Sequence, residues 1–200
     1  YLICFRDFPV AIGITAGARE YLAADICLKY MKEAISEPCN EEQLEAAEKA
    51  LRAKLNSLSL VQPEGTFRTA RKEAAKLFDR KILFTENPRK VESVVFTKEG
   101  YRIKIEAVIN GEQKTLYASY KAWKRNNLYP DDFTKKYQSV AYAMDAEALY
   151  LSVGLINTSY KEEYCLWVNS EDKVIATWRP NVTYLPEEPD MVWKFTGTFE

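Results

Sequence analysis

A carboxylate, a hydroxyl and an ammonium group stand close together in this 200-residue chain, on two segments that the pattern predicts to form a β-hairpin. Apolar and polar residues alternate over 101–109, and Asn110-Gly111 is the residue pair typical of a type I′ turn. Glu106 stands near the middle of the first predicted strand. Ser119 and Lys121 stand at the end of the second. A carboxylate and a lysine brought together in this way can bind an ion or move a proton.

The absence of histidine narrows the chemistry open to this chain. It excludes Ser-His and Cys-His nucleophile pairs, histidine-ligated metal sites and an imidazole base near neutral pH. Any catalysis must therefore use carboxylates, lysines, tyrosines or thiols. The net charge of −1 also indicates that nucleic-acid binding would need a local basic patch.

The composition favours a soluble globular protein. Hydrophobic residues make up 47% of the chain and charged residues 28%. No apolar run approaches the roughly 20 residues of a membrane span, and the first residues lack the layout of a signal peptide. The cysteines at 4, 27, 39 and 165 show no close-pair spacing, which favours reduced thiols and a cytoplasmic location.

Helical spacing of apolar residues predicts four helices. The first runs from Thr15 to Glu37, and the second follows a capping box formed by Asn40 and Gln43. These two helices are expected to pack as an antiparallel pair, after a small hairpin over residues 1–14. The third helix is predicted over 66–84 and the fourth over 130–153.

Alternation of apolar and polar residues predicts the strands. They are expected over 91–97, 101–109, 113–121, 163–168 and 174–178. Residues 191–195 are expected to form a last strand or a docking tail. The core order is therefore helix, three strands, helix and two strands.

The order of elements and the hairpin resemble the PD-(D/E)XK nuclease superfamily, in its RecB-type and phage exonuclease-like branch. That branch has a strand ending in a pattern like Gly-x-Ile-Asp, then Asp-Tyr-Lys, and a neighbouring helix with a Gln and a Tyr. Here residues 103–106 take the first place, Ser119-Tyr120-Lys121 the second, and Gln138 and Tyr142 fall on the predicted helix. Val91-Glu92 looks like the Val-Glu that often precedes the central hairpin of the family.

The resemblance implies an α/β (α+β) fold with a mixed central β-sheet flanked by helices, as in restriction endonucleases. Residues 1–62 would form an N-terminal hairpin and helical pair, and residues 63–180 the nuclease-like core. Residues 181–200 would be a tail that packs on this core.

The resemblance also implies phosphodiester hydrolysis with Mg²⁺ or Mn²⁺. Glu92 and Glu106 would hold the ion, and Lys121 would position or deprotonate the attacking water. Ser119 stands where the family has its second acid, and a neutral hydroxyl adds no negative charge to a metal site. No iron–sulfur cluster is expected, because the cysteines do not follow the arrangement of cluster-bearing members.

DNA, in single-stranded form as one option, is the partner that the resemblance implies. Its expected contacts are Arg68, Lys72, Lys76, Lys124, Arg125, Gln138 and Tyr142. The first three stand four apart on the third predicted helix, although such a row is more often a solvated surface.

Three functions stay open at this point. The first is a metal-dependent exonuclease. The second is a degenerate relative that binds nucleic acid or a protein without cutting. The third is an unrelated, non-enzymatic interaction domain encoded by a phage or mobile element. In that case the N-terminal helices would form the protein interface.

Overall fold

A computed structural model of the chain describes residues 2–6, 11–14, 22–36, 40–70, 72–133, 135–181 and 191–200. The chain divides into two compact units, Tyr1–Val61 and Gln62–Glu200.

The first unit begins with a short antiparallel pair, β1 (Leu2–Cys4) and β2 (Ala11–Gly13), which confirms the predicted hairpin. Two helices follow, α1 (Leu22–Ser36) and α2 (Glu41–Ser57). The capping box at the start of α2 is present. The Gln43 amide N–H donates to the Asn40 side chain and the Asn40 amide N–H donates to the Gln43 side chain, both at 2.9 Å.

Helix α2 does not pack in the way the sequence predicted, since none of its residues is buried. Leu44, Leu51 and Leu55 lie on one stripe of the helix with exposed fractions of 59%, 57% and 55%. The predicted antiparallel packing of α2 on α1 is therefore wrong. Within the described residues, no helix is both long enough and apolar enough to cross a membrane.

The second unit is built on one ten-stranded sheet. Its strands are β3 (Lys81–Phe84), β4 (Val91–Glu99), β5 (Arg102–Ile109), β6 (Glu112–Tyr120), β7 (Lys124–Asn127), β8 (Tyr137–Met144), β9 (Ala148–Leu155), β10 (Lys161–Val168), β11 (Val174–Pro180) and β12 (Trp193–Phe199). The last strand, expected as a strand or a tail, is part of this sheet. The turn between β5 and β6 has positive φ at Asn110 (52°) and Gly111 (77°), as a type I′ turn requires.

The sheet closes on itself. Consecutive strands pair antiparallel from β3 to β6 and from β7 to β12, β12 returns to β3, and β6 reaches β8 through a short parallel pairing. Nine strands thus form a barrel within the described residues, and the core is its interior. The predicted α/β fold with a helix-flanked, restriction-endonuclease-like sheet is wrong.

The largest local error is the predicted helix over 130–153, which is instead the hairpin of β8 and β9. Alanines at 141, 143 and 148 are buried on the outward face of these strands. Apolar residues therefore occupy both faces, and their spacing fits the helical period of 3.6 residues as well as the strand period of two residues. The chain turns between the strands at Asp145. Its carboxylate accepts hydrogen bonds from the amides of Glu147 (2.8 Å) and Ala148 (2.7 Å).

The predicted helix over 66–84 is also wrong, because the described residues of this stretch form a 3₁₀ helix, Lys72–Leu77, and then β3. Residues 62–70 and 72–80 form a plug across one end of the barrel. Phe67 exchanges backbone hydrogen bonds with Met144 at 2.7 and 3.0 Å, and Leu77 is fully buried in the core. The hydroxyl of Tyr142, which points inward, donates to the Arg68 carbonyl at 3.0 Å.

A seam between β6 and β8 completes the ring. The two strands pair directly only at Ser119 and Tyr120, and β7 fills the gap beyond this point. The buried side-chain amide of Asn126 on β7 takes the place of backbone hydrogen bonds between strands at this point. It accepts from the Tyr117 amide N–H (2.7 Å) and donates to the carbonyls of Tyr117 (3.0 Å) and Lys124 (2.9 Å).

Replacing Asn126 with leucine is expected to open this seam. The change leaves the Tyr117 amide and carbonyl without partners, which should cost about 2–3 kcal/mol of unfolding free energy. Denaturant unfolding measures the loss, and hydrogen exchange should show faster exchange of the Tyr117 amide. Asn127→Leu, at the exposed next position, is the matched control and should leave both unchanged. Unaltered exchange at Tyr117 in the Asn126 variant would contradict this role.

Candidate functional site

An apolar chamber of about 130 Å³ lies inside the barrel. Its walls are inward-facing side chains contributed by strands around the ring, among them Val94, Ile105, Ala107, Leu116, Val140 and Leu151. These residues alternate with outward-facing ones because successive side chains of a strand point to opposite faces of the sheet. The interior of the barrel thus contains a space that its own side chains leave unfilled.

One border of the chamber is polar. Arg89, in the loop between β3 and β4, and Glu162 and Tyr164, on β10, reach the chamber wall together. The Arg89 guanidinium lies 3.1 Å from one carboxylate oxygen of Glu162. The Tyr164 hydroxyl donates to the other oxygen at 2.7 Å, and Arg89 Nε donates to this hydroxyl at 3.4 Å. We call these three residues the polar cluster.

The polar cluster is shielded from water, although unequally. The Glu162 side chain is 10% exposed and that of Arg89 is 36% exposed. Burial raises the pKa of Tyr164, and the charge of Glu162 raises it further, so the hydroxyl stays a donor at neutral pH. Burial acts to lower the pKa of Arg89, but Tyr164 and Glu162 outweigh it and raise this pKa. The guanidinium therefore stays charged.

Aromatic rings stand beside the polar cluster. The Arg89 guanidinium lies 5.4 Å from the ring centre of Trp178, and the rings of Trp178 and Trp193 are 6.3 Å apart. In the part of the chain that the structure describes, Trp178 Nε1 is the buried side-chain nitrogen that lacks a hydrogen-bond partner. A buried donor of this kind is a point at which a bound molecule could supply an acceptor.

The structure separates the residues predicted to hold a metal ion. Glu106 faces outward on β5 and pairs with Lys104 at 2.9 Å, and the Glu92 carboxylate accepts from the Gly111 amide at 2.7 Å. Ser119 stands opposite Arg102, four residues from Glu106 along β5, which is a separation of about 13 Å. Lys121 lies beyond β6.

These donors do not fit one Mg²⁺ or Mn²⁺ ion, because its ligands must converge within about 2.1 Å of a single point. Among the described residues, no group of three or more acidic or cysteine side chains could hold a metal ion. Metal-dependent hydrolysis stays a prediction from the sequence.

The residues predicted to contact nucleic acid are spread over different parts of the barrel. Gln138 and Tyr142 point into the interior, with exposed fractions of 7% and 0%. Lys76 pairs with Glu73 at 2.6 Å, and the Arg68 guanidinium lies 4.5 Å from the ring centre of Tyr101.

The other three predicted contacts are also apart. Lys72 begins the 3₁₀ helix in the plug, whereas Lys124 and Arg125 lie on β7 in the seam. The expected row of Arg68, Lys72 and Lys76 on one helix face does not exist, because the helix does not.

The polar cluster was missed from the sequence, although one signal pointed to it. Glu162 stands two, four and six residues before Tyr164, Leu166 and Val168, and so shares their inward face. A carboxylate in the apolar register of a strand indicates a buried polar site. Arg89 gives no such signal, because it lies in a loop.

The comparisons with known proteins assign no family. Neither a protein-family model nor a curated protein sequence matches this chain.

Proposed function

We propose that the barrel binds one small, uncharged molecule with an apolar body and a hydrogen-bonding head group. The observation that supports this proposal best is an apolar chamber inside the barrel with one polar cluster at its border. Ligand sites in proteins are mostly apolar and carry a few polar groups that fix the orientation of the ligand. Barrels of about this size can hold one small ligand.

The volume of the chamber sets the size of the body. At about 130 Å³ it is close to the apolar cavity of roughly 150 Å³ that is known to bind benzene in another protein. A single ring or a short branched chain fits this space. The body would contact the aliphatic wall, where each buried CH₂ contributes about 0.8 kcal/mol.

The charges of the polar cluster set the nature of the head group. Arg89 and Glu162 neutralise each other, so an added full charge would stay uncompensated in a poorly hydrated place. A neutral head group has a donor N–H nearby in Arg89 and an acceptor oxygen in Glu162, both of which line the chamber. Alcohols, phenols and amides meet these conditions.

Calorimetric titration with four ring compounds tests the proposal. We expect 4-methylphenol and benzyl alcohol to bind with one site per chain, and benzoate and benzylamine to bind at least about tenfold more weakly. Tighter binding of benzoate or benzylamine would overturn the neutral head group. If none of the four binds, the proposed function is wrong.

Ala107→Phe is expected to abolish this binding, because Ala107 lines the chamber and a phenyl ring there occupies most of it. Thermal unfolding should show a midpoint within about 5 °C of the unchanged protein, since the ring enters empty space rather than a filled core. Thr115→Phe places the same ring on the outer face of β6 and is the matched control. Binding that survives in the Ala107 variant would place the site elsewhere.

Phosphodiester hydrolysis, DNA binding and a cytoplasmic location stay predictions from the sequence. They have less support than ligand binding, because the residues on which hydrolysis depends lie apart while those of the polar cluster lie together.

A further inference from the structure

Gln138, on β8, brings a further polar side chain to the wall of the chamber. It shares the inward register of Val140 and is 7% exposed. Its backbone is held between Asn126 of β7 and Leu155 of β9. Among the described residues, none hydrogen-bonds to its side-chain amide. Since buried polar groups nearly always have a partner, an unpaired amide on the wall of a chamber indicates a binding point for a ligand.

Gln138 is separate from the polar cluster. Glu162 is paired with Val153, and Val153 with Val140, so Glu162 lies level with Val140 and two strands away. Gln138 lies two residues from Val140 along β8. The Cα atoms of Gln138 and Glu162 are therefore about 12 Å apart, given the usual spacing of strands and rise per residue. Both side chains line the chamber, so a molecule inside it can contact two polar points at different places.

We propose that the ligand carries a carboxamide that pairs with Gln138, in addition to the head group at the polar cluster. This inference rests on the proposed function, and it narrows the ligand to ring compounds with two neutral polar groups. The glutamine side chain offers a carbonyl oxygen that accepts and an NH₂ group that donates. A carboxamide satisfies both atoms at once, because its own N–H and C=O stand at the same spacing. A ketone or an ester can only accept.

A hydroxyl group suits the other end of the ligand. It can donate to the Glu162 carboxylate and accept from the Arg89 guanidinium, both of which line the chamber. 4-Hydroxybenzamide combines a hydroxyl and a carboxamide on one ring and is therefore the probe. 4-Hydroxyacetophenone has the same shape with a methyl group in place of the NH₂ group. It can accept a hydrogen bond from Gln138 but cannot donate one.

Calorimetric titration of the full chain with these two compounds tests the inference. We expect the unchanged protein to bind 4-hydroxybenzamide at least about fivefold more tightly than 4-hydroxyacetophenone, because a site that hydrogen-bonds an N–H group rejects the analogue that lacks it. In Gln138→Leu this preference should disappear or reverse, since leucine leaves the carboxamide unpaired. Gln113→Leu, at an exposed position on β6, is the matched control and should keep the preference.

Binding of 4-methylphenol separates failure of this inference from failure of the proposed function. If 4-methylphenol binds but 4-hydroxybenzamide binds no more tightly than the ketone, the inference is wrong and the chamber is still a ligand site. The same preference in Gln138→Leu as in the unchanged protein would also overturn the pairing with Gln138. If none of the three compounds binds, both proposals are wrong. Because the compounds are compared in the unchanged protein as well, the test does not depend on the folding of a variant.

Discussion

Replacing Gly65 with alanine is expected to lower the unfolding free energy by about 3–5 kcal/mol, because the plug could no longer sit against the barrel. Gly65 has φ of 101°, which favours glycine, and a Cβ there would lie 2.7 Å from the Met144 carbonyl oxygen and 2.8 Å from its carbon. These are backbone atoms of β8, so they cannot rotate aside as a side chain could. Denaturant unfolding followed by tryptophan fluorescence measures the effect.

Gly111→Ala is the matched control for backbone strain. Gly111 also has positive φ, at 77°, but a Cβ there would meet nothing within 4 Å. We therefore expect a loss of only about 1 kcal/mol in this variant. Equal losses in the two variants would mean that the close contact with Met144 contributes nothing. In that case, limited proteolysis should also cleave the plug no faster in the Gly65 variant than in the unchanged protein.

Arg89→Met is expected to destabilise the barrel by about 2–4 kcal/mol, because it leaves the Glu162 carboxylate without its counter-charge. This carboxylate is only 10% exposed and would keep the Tyr164 hydroxyl as its remaining partner. This loss of unfolding free energy is smaller than that expected for a fully buried ion pair, because the Arg89 side chain is 36% exposed. Thermal and denaturant unfolding at neutral pH measure the loss.

The double variant Arg89→Met/Glu162→Leu should be more stable than the single one. It removes both charges and leaves apolar side chains, and such replacements of buried ion pairs are often neutral or stabilising. We expect its unfolding free energy to return to within about 1 kcal/mol of the unchanged protein. A double variant as unstable as Arg89→Met would mean that lost packing of the arginine stem, rather than the uncompensated charge, causes the effect.

The elements that could be predicted from the sequence are those fixed by neighbouring residues. The β5–β6 hairpin follows from alternation and from the Asn110-Gly111 turn, and the start of α2 follows from Asn40 and Gln43. In both, the residues that form the structure lie within a few positions of each other, so a short window contains the whole signal.

The elements that could not be predicted depend on the tertiary fold. In β8 the alternating Gln138, Val140, Tyr142 and Met144 point inward, but the alanines between them are also buried, which gives helical spacing. Only the pairing of β8 with β7 and β9 decides between the two patterns. The closed ring similarly rests on strand pairings between distant parts of the chain.

The candidate site is predictable only in part, for the same reason. Glu162 could be identified as a polar residue in an apolar register, but its partner could not. Arg89 and Tyr164 are 75 positions apart, and only the barrel brings them within hydrogen-bond distance. The hairpin motif in the sequence points instead to Glu106, which faces outward and pairs with the neighbouring Lys104.

The pairing of β12 with β3 has a consequence for synthesis on the ribosome. Thr85 and Thr196, which are hydrogen-bonded at this junction, are 111 positions apart, whereas most other neighbouring strands are consecutive in the chain. Each hairpin can therefore form as it leaves the exit tunnel, but β3 and β11 keep open edges until β12 emerges. Exposed edges recruit strands from other chains, so the nascent barrel is most prone to aggregation just before its final strand arrives.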